Sequence, residues 1–103
     1  MKGANEIYMD FRRAGQAIEE LEEVAEILHR MSDVQLRQTM GQLAASWKCP
    51  GADIFQKKGE CLREKIAKSE QSIYIISDQL RRDARKLYEA EKRAYEIASK
   101  RTS

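Results

Sequence analysis

The sequence is poor in residues that interrupt helices and in residues that build catalytic or metal sites. Its 103 residues include one proline, five glycines, two cysteines and one histidine. Aromatic residues make up only 7% of the chain, whereas charged residues make up 35%. The scarcity of aromatics argues against a β-sheet protein, and the charge content is typical of long helices with exposed polar faces. At this length we expect a single domain.

Long hydrophobic runs are also absent, since no stretch approaches the roughly 18 to 20 apolar residues that span a bilayer. Residues 1–15 lack the apolar core and the small-residue cleavage site of a signal peptide. We therefore expect a cytoplasmic chain that, if it is secreted, leaves without a cleaved leader. We expect no stable membrane insertion, because the apolar residues are assigned to helical seams.

The residues that carry chemistry are too few and too scattered for a reactive centre. Two cysteines and one histidine cannot supply the four ligands of a structural zinc site. Cys49 and Cys61 are twelve residues apart, about 18 Å along a helix, so we expect separate thiols. His29 is expected to be solvated, and no phosphate loop or nucleophile beside a base occurs. The sequence predicts neither an enzyme nor a cofactor.

The charge is distributed unevenly between the two halves of the chain. Residues 1–47 carry five basic and eight acidic side chains, and residues 48–103 carry fourteen basic and nine acidic ones. These opposite net charges favour pairing of the two halves. The alternative is a basic face for nucleic acid, formed by Arg81, Arg82, Arg85 and Lys86. Acidic residues interrupt each basic cluster, so we expect no binding to nucleic acid.

The first half has the apolar periodicity of a packed helix. Apolar residues alternate at steps of four and three, which is the heptad spacing of a helical seam. This first seam contains Ile7, Phe11, Ala14, Ile18, Leu21, Ala25 and Leu28. It resumes at Leu36, Met40, Leu43 and Trp47. The step of eight between Leu28 and Leu36 indicates either a bend near Ser32 or a local accommodation in one continuous helix, and we prefer the second interpretation.

The second half continues the same alternation without a slip. This second seam contains Phe55, Gly59, Leu62, Ile66, Ser69, Ile73, Ile76, Leu80, Asp83, Leu87, Ala90, Ala94 and Ile97. Between the two seams, Pro50 cannot continue a preceding helix but suits the start of a new one. The pattern predicts an all-α fold, an antiparallel two-helix hairpin within one domain, residues 1–103. Helix 1 is expected at about 4–47, the turn at about 48–51 and helix 2 at about 52–99.

Apolar side chains remain outside the two seams. A two-helix hairpin has no enclosed core, and surplus apolar surface usually marks an interface. Two hairpins that pair into a four-helix bundle would bury both faces, so we expect a dimer. The predicted dimer or partner interface consists of Val24, Ile27, Tyr74, Ile75, Tyr88 and Tyr95.

The stretch "SWKCPGADIF", residues 46–55, resembles the turn of the WXG-motif family. These are small, ESAT-like substrates and adaptors of the type VII secretion system, which fold as helical hairpins and pair into four-helix bundles. Their turn reads Trp-any-Gly, followed by small residues and an aromatic residue. Trp47 and Phe55 keep this frame, and the resemblance covers nearly the whole chain. The corresponding turn motif is Trp47, Cys49, Pro50, Gly51 and Phe55.

The chain departs from the family pattern at two places. The glycine of the motif falls on Cys49, which leaves Pro50 and Gly51 to supply the bend. The C-terminal export signal of the family is a tyrosine followed four residues later by an acid. Tyr88 has Lys92 at that place and Glu91 one residue early, which makes a degenerate signal. The alternative assigns Tyr88 to an interface and Glu91 to solvent.

The resemblance implies a function without chemistry. It implies an exported substrate, or an adaptor or chaperone for an exported helical partner, of a type VII secretion system. The implied partners are a second copy, a related small helical protein or the helical N-terminal region of a larger exported toxin, together with the secretion ATPase. The alternative is a generic cytosolic helical-bundle adaptor that is unrelated to secretion.

Overall fold

The prediction of an all-α fold is confirmed. The computed structural model describes residues 2–102, with side chains for residues 2–101, and the remainder of the predicted domain lies outside the described residues. Within that part of the chain 93% of residues are helical and no strand occurs. The elements are α1 (Ala4–Arg30), a π-helical segment (Met31–Leu36), α2 (Arg37–Ser46) and α3 (Ala52–Thr102). Together they form one bent helix and one long helix.

The break between the two helices lies at the proline-containing turn. Trp47 leaves the helical region with φ −117° and ψ 95°, while its N–H still donates to the Leu43 carbonyl at 2.8 Å. The Ala52 N–H donates to the Cys49 carbonyl at 3.0 Å and starts α3. Asp53 lies in the first turn of α3, where a carboxylate complements the positive end of the helix dipole.

The eight-residue step in the first seam corresponds to the π-helical segment. A π-helix hydrogen-bonds between residues five apart, so it absorbs one extra residue where an α-helix would lose its register. Arg30 and Arg37 on either side keep right-handed helical dihedral angles, so the chain remains helical. Ser32 is only 3% exposed and occupies the inward position midway between Leu28 and Leu36.

Contacts along the chain divide it into two compact units. Unit 1 comprises Met1–Leu21 and Ile75–Ser103. Its two segments run antiparallel, because Lys2 contacts Glu91 and Phe11 stacks on Tyr88. Ile7, Ile18 and Ser77 are buried in this unit.

Unit 2 comprises Glu22–Tyr74 and includes the turn. Its contacts also run in opposite chain directions, from His29 with Glu70 to Met40 with Gln56. A Cβ on Gly59 would overlap the thioether of Met40, coming 2.8 Å from its sulfur atom. The missing side chain of Gly59 therefore makes the recess in which Met40 packs.

The residues of the first seam from Ile7 to Leu43 are buried or half-buried, whereas most residues of the second seam are exposed. Only Gly59, Ile66 and Ile73 of the second seam are shielded from solvent. The residues of α3 that are buried or half-buried instead are Ala52, Gln56, Gly59, Arg63, Ile66, Glu70, Ile73, Ser77, Ala84, Tyr88, Glu91, Tyr95 and Ala98. Five of these thirteen residues are small, whereas the bulky apolar residues Leu62, Ile76, Leu80 and Leu87 lie on the exposed face.

Candidate interaction surfaces

The predicted turn motif places its two aromatic side chains in contact. The ring centroids of Trp47 and Phe55 are 4.8 Å apart, with an angle of 47° between the ring planes. Both side chains remain exposed to solvent. The pair therefore connects the end of α2 with the start of α3 and still presents aromatic surface outward.

The remaining turn residues shape a shallow hollow beside Trp47. Cys49 and Gly51 are half-buried, and Pro50 is exposed. The Gly51 carbonyl accepts a hydrogen bond from the Ile54 N–H at 3.2 Å. The hollow has a volume of about 370 Å³ and is lined by Ala44, Trp47, Lys48, Cys49, Pro50, Ala52, Asp53 and Gln56.

Unit 2 exposes an apolar stripe on the bent helix. Val24, Ile27, Met31 and Val34 follow one another at steps of three, four and three, so they share one helix face. All four are between 45% and 51% exposed. Val24 and Ile27 belong to the predicted interface, whereas Met31 and Val34 were not assigned to it.

Unit 1 exposes the bulky apolar side chains of α3. Ile75 and Leu87 are 69% and 61% exposed, and Ile76, Leu80 and Ile97 are also exposed. Leu87 borders a hollow of about 370 Å³. Its apolar lining is formed by Ile7, Phe11, Ala14, Ala84, Leu87 and Tyr88. Of these exposed residues, only Ile75 was predicted for an interface.

The two C-terminal tyrosines of the predicted interface lie among the shielded residues. Tyr88 and Tyr95 are half-buried. The ring of Tyr88 stacks on Phe11, with centroids 4.5 Å apart and an interplanar angle of 26°. Glu91, the second residue of the degenerate export signal, interacts with Lys2 at 3.3 Å. Both residues of that signal thus have partners within unit 1.

Lys2 connects the start of the chain to α3 through two carboxylates. Its ammonium group lies 2.7 Å from Asp10 and 3.3 Å from Glu91. Hydrogen bonds to Asp10 and Glu91 raise the pKa of Lys2, and the hydrogen bond from Lys2 lowers the pKa of Asp10. A carboxylate whose pKa is lower in the folded chain than in the unfolded chain stabilises the fold at pH values above its unfolded pKa. This stabilisation is lost as the pH falls through the folded-state pKa. The exposure of these groups keeps that contribution small.

Unit 2 contains a second charged cluster around the only histidine. His29 Nδ1 lies 3.3 Å from Glu70, and Nε2 lies 3.4 Å from Asp33. The neutral imidazole has only one N–H, so it can donate to one of these carboxylates at a time. Arg63 holds the cluster together, because Nη1 binds Glu60 at 2.9 Å and Nη2 lies 3.5 Å from Asp33.

Tyr74 of the predicted interface borders an acidic hollow in unit 2. The hollow is lined by Glu26, His29, Arg30, Glu70 and Tyr74. Partial desolvation raises the pKa of Tyr74, and the negative charges of Glu26, Glu70 and Glu22 raise it further. The phenol therefore stays protonated and able to donate a hydrogen bond at neutral pH.

Residues that could form a metal or redox centre are not brought together. Among residues 2–101, no group of three histidine, cysteine or acidic side chains is placed to hold a metal ion. Both cysteines are free thiols, as expected from their spacing. None of the helices in the described part of the chain has a stretch that is long and apolar enough to cross a membrane.

Comparison of the chain with protein-family models, with curated proteins and with solved structures finds no match.

Proposed function

We propose that this chain is a non-enzymatic, WXG-like helical pairing protein of a type VII secretion system. It acts as an exported substrate or as an adaptor for an exported helical partner. In this proposal, the helices form a hairpin along their length, and two hairpins combine into a four-helix bundle. The partner is a second copy, a related small helical protein or the helical N-terminal region of a larger exported toxin.

The observation that carries the pairing proposal is the apolar surface that the chain leaves uncovered. Its accessible surface is 8185 Å². The relation between mass and surface for folded monomers gives about 6,000 Å² for a chain of 11.9 kDa. The surplus of about 2,000 Å² exceeds the roughly 800 Å² that each partner buries in a standard interface. This total combines polar and apolar surface, and its apolar part includes the exposed side chains of α3 that a helical partner would cover.

The secretion part of the proposal is supported by the turn. Trp47 and Phe55 are in contact, and both keep exposed surface that a transport component can recognise. The half-buried Cys49 occupies the position of the motif glycine. The chain would supply the turn of an export signal, while its partner supplies the C-terminal part.

The pairing proposal is tested by measuring mass with light scattering over a concentration series. We expect a species near twice 11.9 kDa, or a dimer once the natural partner is added. Leu87→Glu should weaken association by at least about tenfold, because a buried unpaired carboxylate costs more than 1.4 kcal/mol. Lys92→Glu introduces the same residue at an exposed polar position, and it should leave the dimer intact. A monomeric parent chain that gains no partner would contradict pairing.

Export is tested separately in cells that lack the secretion ATPase. We expect secretion of the chain, or of its bound partner, to stop in these cells. Trp47→Ala should impair export even when the purified variant still pairs. Under the alternative of a generic adaptor, Trp47→Ala would lower stability without a separate effect on secretion. Unchanged export of both proteins without the ATPase would contradict the secretion proposal and leave pairing unaffected.

A further inference from the structure

Unit 1 contains a second groove that the pairing proposal does not use. This basic groove has a volume of about 510 Å³. It is lined by Phe11, Gly15, Ile18, Asp78, Arg81, Arg82, Ala84 and Arg85. Leu87 and the other exposed apolar residues of α3 do not line it, so it is a separate candidate site.

The floor of the basic groove is apolar and open because Gly15 has no side chain. A Cβ added at Gly15 would meet no atom within 4 Å. Its backbone does not have a positive φ, so the local conformation does not require glycine. Phe11 and Ile18 lie one turn to either side and are shielded from solvent. The space above Gly15 therefore fits an apolar side chain from another molecule.

Arginines line the α3 side of this floor. Arg81 and Arg85 are four residues apart and share one helix face, and Arg82 lies beside them. Asp78 is the only acid among the lining residues. Arg81 already takes part in an interaction within the chain, so we assign ligand contacts to Arg82 and Arg85. Their planar guanidinium groups can each bind a carboxylate through two parallel hydrogen bonds.

The apolar floor and the single basic side of this groove favour one of three kinds of partner: nucleic acid, a bilayer or a protein helix. Duplex nucleic acid contacts broad basic surfaces, whereas Asp78 limits the positive charge here. A bilayer binds an exposed apolar face rather than a recess between helices. A helix laid in a groove can present one apolar anchor flanked by carboxylates one turn away.

We propose that the basic groove binds an acidic helical segment of another protein. One large apolar side chain of that segment sits above Gly15, and its flanking carboxylates pair with Arg82 and Arg85. A second copy of this chain is a poor source of the segment. Its exposed apolar residue with carboxylates one turn to either side is Leu87, between Asp83 and Glu91, and Glu91 is already paired with Lys2.

The test uses a fluorescein-labelled helical peptide of about 16 residues, long enough to form a helix. The peptide is built from alanine and glutamate with one central leucine, and binding to the full chain is measured by fluorescence anisotropy at low salt. One control peptide has lysine in place of glutamate, and another has alanine in place of leucine. We expect both control peptides to bind at least about tenfold more weakly than the parent peptide.

Two variants of the chain test the groove itself. Arg85→Glu should weaken peptide binding by at least about tenfold, whereas Lys86→Glu, an equal charge change outside the groove, should weaken it less than about threefold. Gly15→Leu fills the floor with a side chain that favours helix, so it should block binding while circular dichroism shows unchanged helix content. The proposal is overturned if the parent chain does not bind the peptide, or if Arg85→Glu and Lys86→Glu weaken binding equally. It is also overturned if Gly15→Leu binds the peptide as well as the parent chain does.

Discussion

At the scale of single residues, Ser77 has a polar side chain in surroundings that do not satisfy its hydroxyl group. Its side chain is fully buried, and its Oγ has no hydrogen-bond partner among the described residues. Nearby serines of α3 behave differently, since Ser72 Oγ donates to the Lys68 carbonyl at 3.0 Å. A buried hydroxyl without a partner is destabilising relative to an apolar group of similar size.

Ser77→Ala should therefore stabilise the chain. Removal of the unpaired hydroxyl and the higher helix propensity of alanine together contribute about 1 kcal/mol. The melting temperature should rise by about 4 to 8 °C, measured by circular dichroism at a fixed protein concentration. Ser72→Ala makes the same change in helix propensity and removes an exposed hydrogen bond to the Lys68 carbonyl instead of a buried unpaired hydroxyl, so it serves as the control. An equal rise in both variants, or a loss of stability in Ser77→Ala, would contradict this account.

The burial of Ser77 beside the exposed Ile76 shows that the sequence pattern assigned the wrong residues to the inward face of α3. The heptad pattern correctly predicted that an apolar stripe exists, and it assigned that stripe to contacts within the chain. The structure instead turns small residues outside the predicted seam, such as Ser77 and Ala84, inward. Apolar periodicity identifies a face that needs covering, but it does not identify which helix covers it.

At the scale of elements, the π-helical segment is the one departure from regular α-helix inside the bent helix. The sequence predicted an extra residue between Leu28 and Leu36 and favoured a local accommodation within one continuous helix over a bend. The inward position of Ser32 was not recognised, because a serine carries no apolar signal. Polar residues at such positions escape any analysis that follows hydrophobicity alone.

Deletion of Gln35 should convert the π-helical segment into regular α-helix. Leu28, Ser32 and Leu36 would then follow at steps of four and three, which restores the heptad spacing. We expect a melting temperature within a few degrees of the parent chain. Deletion of Glu20 from the regular α1 shifts the seam by one residue and should lower the melting temperature by at least about 10 °C. If both deletions lower it equally, the extra residue has a structural role beyond spacing.

At the scale of the whole molecule, the sequence predicted the helical class, the position of the turn and the inward face of the bent helix. These features follow from the heptad steps of the first seam and from Pro50, which are local signals. The exposed face of α3 and the groove at Gly15 depend on how two helices approach, and no local pattern encodes that distance. The interaction surfaces were therefore harder to predict than the fold.

Stability should depend on protein concentration if the uncovered apolar surface is the pairing surface. Association that is specific to the folded chain stabilises it by mass action, so a hundredfold increase in concentration should raise the melting temperature of the parent chain or of its natural complex. Leu87→Glu should melt at a temperature that is independent of concentration, because its charge prevents burial of the exposed face. Lys92→Glu should retain the dependence of the parent. A melting temperature that does not change with concentration in any of these chains would mean that the exposed side chains of α3 remain in water.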